Sequence, residues 1–126
     1  MNLIMSSSKQ IKIGIIGYGN IGRGVELAIE QNPDMALIGI FTRRNPNDLG
    51  KTTKARLLHV SELEKYRDGI DVLLLCGGSA TDLPEQGPRY AGLFNTVDSF
   101  DTHPKIPDYF AAMDRAARRS GKTSRP

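Results

Sequence analysis

IKIGIIGYGNIGRGVELAIEQN, residues 11 to 32, decides the fold. Ile11 to Ile16 is an apolar run of strand length, and Ile21, Val25, Ala28 and Ile29 then recur at i, i+4, i+7 and i+8, one face of a helix. Between them stand Gly17, Gly19 and Gly22. An ordinary tight turn would also use glycine, but a strand before and an amphipathic helix after make this a dinucleotide-binding turn. Gly17 permits the sharp reversal, Gly19 lets a pyrophosphate approach the backbone, and Gly22 lets helix and strand pack closely. The unpaired helical N–H groups from Asn20 and Ile21 onward then receive the anion, and Tyr18 lies within the same turn.

Ala36 to Phe41 reads as a second strand, and Thr42, Arg43 and Arg44 follow where a carboxylate would hold the ribose hydroxyls of NAD. The carboxylate is missing. Two guanidinium groups in its place favour NADP, whose extra phosphate carries nearly two negative charges. An arbitrary arginine pair points into solvent; at this position it faces the adenosine ribose.

The rest of the chain continues the alternation. Asn45 to Arg56 is a polar loop, Leu57 to Val60 a short strand, and Ser61 with Glu64 a capping box that starts a helix. Ile70 to Cys76 is the most apolar run and the expected central strand, followed by a turn and a short helix that Gly87 and Pro88 shorten or kink. Thr96 to Phe100 is a fifth strand, and from Pro107 the residues Tyr109, Phe110, Met113, Ala116 and Ala117 recur at helical spacing until Gly121. The expected class is α/β: a Rossmann-type doubly wound, mostly parallel sheet with helices on both faces. Residues 1–10 read as a flexible leader and residues 11–126 as one dinucleotide-binding domain.

Composition narrows the function. With 39% hydrophobic and 25% charged residues, and no apolar run near 20 residues, neither a membrane span nor a disordered chain is expected. The net charge of +3 comes from five basic residues after Asp114, which leaves the preceding residues at −2. A basic helix end of that kind complements the helix dipole, so no nucleic-acid partner is expected. The single Cys76 forms no intramolecular disulfide and fits a cytoplasmic protein, and no cysteine and histidine spacing suggests a metal.

Cys76, Gly77, Gly78 and Ser79 close the fourth strand where strand order reverses, so their small side chains leave room for the middle of a dinucleotide. Cys76 has no basic neighbour in sequence and reads as a small core residue, not a nucleophile. Ser99, Phe100 and Asp101 end the fifth strand on the same edge. Asp101 either faces a substrate ammonium or caps the following loop. His59 and His103 are isolated and read as structural or exposed.

GYGNIGRGVELAIEQNPDM, FTRR, LLLCGGSATDLPEQGP and NTVDSFDTHPKIPDYF together resemble the amino-terminal part of the meso-diaminopimelate dehydrogenase family, over about Ile11 to Lys122. SATDLPEQ and VDSFDTH are far more specific than the glycine pattern. The resemblance implies an NADP-dependent oxidoreductase that converts the D-configured centre of meso-2,6-diaminopimelate to a keto acid and ammonia, on the lysine and cell-wall precursor route. It implies cofactor contacts at Tyr18 to Ile21, Thr42 to Arg44, Cys76 to Ser79 and Ser99 to Asp101, with Asp101 also touching the substrate. The full-length family form implied is a homodimer with a further substrate and dimerisation domain.

That further domain, expected to begin with a sixth strand, is missing from the sequence, so the chain reads as truncated and inactive alone. Ser124, Arg125 and Pro126 are not expected to form a strand. A non-enzymatic nucleotide-sensing Rossmann domain is the competing function, although such domains are expected to keep an acid after the second strand. A poorly folding fragment with uncovered apolar sheet is the third reading.

Overall fold

A computed structural model describes residues 10–49, 53–78 and 81–126. Six strands, β1 (Ile11–Ile16), β2 (Met35–Thr42), β3 (Leu57–His59), β4 (Val72–Leu75), β5 (Thr96–Asp98) and β6 (Ser124–Arg125), form one sheet in the order β3-β2-β1-β4-β5-β6. Every pairing is parallel. The chain begins at the centre, builds outward to β3, then returns to the other side of β1, so a crevice opens between the carboxyl ends of β1 and β4.

Successive side chains of β1 feed opposite faces, which is why its run is apolar throughout. Ile13 and Ile15 join Ile40 and Ile29 of helix α1 (Asn20–Glu30) on one face. Ile16 joins Phe41, Leu73 and Leu75 on the other, under α2 (Leu83–Ala91), α3 (Ile106–Ser120) and a 3₁₀ segment, Val60–Tyr66. Helices α2 and α3 meet closely: a Cβ at Gly87 would collide with Tyr109 and Met113.

Four expectations are corrected. Ser124–Arg125 is a strand after all, because an edge strand needs backbone partners, not an apolar run. Thr96 N donates to Thr123 O at 2.9 Å, and Thr123 N donates to Asn95 Oδ1 at 2.9 Å. The segment after β3 is 3₁₀, not α, and its cap is His59: the ring Nδ1 accepts from Ser61 N at 3.1 Å, so the Ser61 capping box does not lead the helix. The buried stripe of α1 is Gly22, Glu26 and Ile29, leaving Ile21 and Ala28 exposed. Gly22 is the residue pressed against the Gly17 carbonyl, and that contact sets the rotation of the helix. Phe110, placed on the core face of α3 by periodicity, is exposed beside buried Tyr109. Residues 1–9, most of the expected leader, lie outside the described residues. Among the described residues no helix is long and apolar enough to cross a membrane, and no cluster of His, Cys, Asp or Glu could hold a metal ion.

Candidate functional site

The crevice at the carboxyl ends of β1, β2 and β4 is an open cleft with a cavity volume of about 200 Å³. Its floor is the glycine turn. Gly17 has φ of 96°, a conformation glycine adopts freely, and its N–H donates to Phe41 O at 2.8 Å, tying the turn to β2. A Cβ there would stand 3.0 Å from Gly77 N, so the turn and the loop after β4 touch through backbone alone. Gly19 is the N-cap of α1 and makes no side-chain capping bond, and a Cβ on it would meet nothing within 4 Å. Amides without a side-chain cap below open space are the arrangement a pyrophosphate needs, and the cradle fits one.

One end of the cleft carries the arginines. Thr42 is buried, and its Oγ1 accepts from Arg44 N at 3.1 Å, which turns the chain out of β2 and leaves both guanidinium groups exposed on the cleft rim. Arg43 is not loose. Its Nη2 pairs with Asp82 Oδ1 at 2.7 Å across the cleft, and Asp82 Oδ2 accepts from Gly78 N at 3.0 Å. Asp82 and Gln86, both lining the cleft, were missed in sequence; the SATDLPEQ segment that contains them was the only signal available. His59, read as structural or exposed, also reaches this end: its Nε2 lies 3.1 Å from Arg43 O.

Cys76, Gly77 and Gly78 line the cleft; Ser79 lies outside the described residues. Burial pushes the Cys76 thiol up to about 11, so it stays protonated and serves as a wall, in line with its reading as a non-nucleophile. Ser99, Phe100 and Asp101 follow β5 and do not line the cleft. Phe100 instead stacks on Tyr109, with centroids 4.0 Å apart and planes 4° from parallel. Tyr109 Oη donates to Asp98 Oδ2 at 2.7 Å, and burial together with that bond raises the phenol above its ordinary range.

Behind the turn, Glu26 is 6% exposed yet carries two partners. Tyr18 Oη donates to its Oε1 at 2.6 Å, and Thr53 Oγ1 donates to its Oε2. The glycine turn, α1 and the segment leading into β3 are thus joined at one carboxylate.

A glycine cradle facing an arginine pair is the arrangement an NADP-linked site needs. No protein-family model matches the chain. Meso-diaminopimelate D-dehydrogenase of Ureibacillus thermosphaericus is 60% identical over 115 residues, covering 91% of this chain and 35% of that protein. The chain resembles the amino-terminal part of meso-diaminopimelate D-dehydrogenases. It spans about a third of the length of the curated relatives it matches, 35%. Among solved structures, a substituted meso-diaminopimelate dehydrogenase from Clostridium tetani, solved with diaminopimelate, has a TM-score of 0.83 at 56% identity, over 91% of this chain and 35% of that one. An engineered D-amino acid dehydrogenase bound to NADP⁺ has a TM-score of 0.84 at 44% identity, over 91% of this chain and 35% of that one. The six-stranded parallel architecture is therefore that of the cofactor-binding part of these dehydrogenases.

Proposed function

We propose that residues 11–126 are the NADP(H)-binding domain of a cytoplasmic, homodimeric enzyme that oxidatively deaminates the D-centre of meso-2,6-diaminopimelate. The observation that carries this reading is the arginine end of the cleft: Thr42, Arg43 and Arg44 stand where an acid would select NAD, opposite the uncapped start of α1. When bound, the nicotinamide supplies the hydride acceptor. Gly17, Gly19, Gly22 and the first amides of α1 at Asn20 and Ile21 hold the pyrophosphate, with Tyr18 as a wall; Arg43 and Arg44 hold the 2′-phosphate. Cys76, Gly77 and Gly78 flank the middle of the dinucleotide; by the resemblance to meso-diaminopimelate dehydrogenases, Ser99, Phe100 and Asp101, which lie off the cleft lining, face its nicotinamide end, where Asp101 meets the substrate ammonium.

Charge-assisted hydrogen bonds of this kind contribute roughly 1.5 to 3 kcal/mol, about ten- to a hundredfold in affinity. Titrating the purified chain with NADPH and NADH side by side is expected to show a preference of that size for NADPH. Equal or NADH-favouring affinity overturns the reading. Transfer of hydride also needs the substrate carbon held at about 3 to 3.5 Å from its acceptor. These 126 residues are expected to bind cofactor without turning over substrate. Oxidation of meso-diaminopimelate by the chain alone, with NADP⁺, would refute that part.

A further inference from the structure

We infer that Asp82 and His59 are positioning residues that present Arg43 to the 2′-phosphate, so that selection of NADP over NAD is built by three separate segments. The inference rests on the NADP reading above. Arg43 is gripped at both ends: its guanidinium by the Asp82 carboxylate at 2.7 Å, its carbonyl oxygen by His59 Nε2 at 3.1 Å.

Each gripping residue is itself fixed. Asp82 is the N-cap residue of α2 and accepts from Gly78 N at 3.0 Å, which sets its carboxylate against the cleft wall with 16% side-chain exposure. His59 closes β3, and its Nδ1 accepts from the backbone N–H of Ser61 at 3.1 Å. An acceptor at Nδ1 leaves the ring proton on Nε2, the atom that faces the Arg43 carbonyl, so the neutral ring donates there.

Two effects of Asp82 oppose each other. Its charge repels an incoming phosphate, and its grip removes the rotamer freedom an isolated arginine surrenders on binding. The Arg43 side chain is 66% exposed, so water and salt screen the repulsion between groups on either side of it. The loss of freedom is not screened, and a guanidinium held along one edge still offers donors along the others. Positioning therefore wins, and phosphate is received by an arginine already in place. A dinucleotide without the 2′-phosphate gains nothing from the arrangement.

The test is fluorescence titration of NADPH and NADH against the parent chain, Asp82→Asn, His59→Ala, His59→Gln, Arg43→Gln and the Asp82→Asn/Arg43→Gln pair. Asp82→Asn keeps an acceptor for Gly78 N while removing the ion pair. It and His59→Ala are each expected to weaken NADPH binding about five- to tenfold with NADH within twofold, His59→Gln to restore most of the loss, and Asp82→Asn to have no further effect once Arg43 is Gln. If the parent favours NADPH and Arg43→Gln abolishes that preference, yet Asp82→Asn changes NADPH by less than twofold or both cofactors alike, the inference fails alone. If the parent shows no preference, the NADP reading fails first and the inference with it.

Discussion

Adding one methyl group at a time separates what each glycine near the turn is for. Gly24, inside α1, has no atom within 4 Å of where a Cβ would stand, so Gly24→Ala gains only helix propensity, about 0.5 to 1 kcal/mol, or roughly 4 °C in Tm. Gly22→Ala gains the same propensity, but its Cβ would press on the Gly17 carbonyl, backbone against backbone. Forced separation of packed groups costs about 1 to 3 kcal/mol, so the net expectation is a loss of up to about 2 kcal/mol with a spread turn. Gly19→Ala is the informative case. Its Cβ also meets nothing within 4 Å, and replacing glycine at an N-cap by alanine costs only about half a kcal/mol. Yet that empty space is where the pyrophosphate must come to the backbone, so NADPH affinity is expected to fall at least about tenfold by the size argument for close approach. Thermal unfolding by circular dichroism and NADPH fluorescence titration read the two quantities separately. A Gly19→Ala chain that binds NADPH as tightly as Gly24→Ala would refute the placement of the cofactor over the turn.

Cys76, with a thiol pushed up to about 11 from an ordinary 9.0, carries about a hundredfold less thiolate at pH 8 than a free cysteine. Labelling with a thiol reagent is expected to be slower by about that factor, and reaction at the free-thiol rate contradicts it. Because the unfolded thiol ionises first, stability is expected to fall as pH rises from about 9 towards 11, and a Cys76→Ala chain to show a shallower decline. Tyr109→Phe strands the Asp98 carboxylate oxygen that accepts at 2.7 Å and is expected to cost about 1 to 3 kcal/mol in urea unfolding, with the Phe100 stack retained. Gly121 ends α3 at φ of 72°, and Gly121→Ala is expected to cost about 1 to 2 kcal/mol by the same measurement; no change would mean that the left-handed end is not required.

Features that announce themselves over a few neighbouring residues were legible in sequence. The five longer strands, the three α-helices and the glycine turn all follow from local periodicity and punctuation, and each lies within a few residues of its expected place. β6 was hidden because its stability comes from Asn95 and the Thr96 backbone, partners that no pattern in Thr123 to Arg125 announces. The rotation of α1 was misread for a related reason: an apolar count favours Ile21, whereas contact with the Gly17 carbonyl favours Gly22. In the cleft, the glycine turn, the arginine pair and the small residues after β4 could be read, but Ser99 to Asp101 lie off its lining, and the grip of Asp82 and His59 on Arg43 joins the ends of β2 and β3 to the start of α2 and exists only in the folded sheet.

The carboxylate of Glu26 has a thermodynamic consequence. It ties Tyr18 of the turn to Thr53 on the way into β3, so order gained at one is shared with the other. By linkage, the part of a ligand's binding free energy that is coupled through Glu26 is reciprocal: a ligand at the turn strengthens the Thr53 contact by as much as that contact strengthens the ligand. The cleft's floor and the approach to β3 at Thr53 are then expected to tighten together when a ligand occupies the turn.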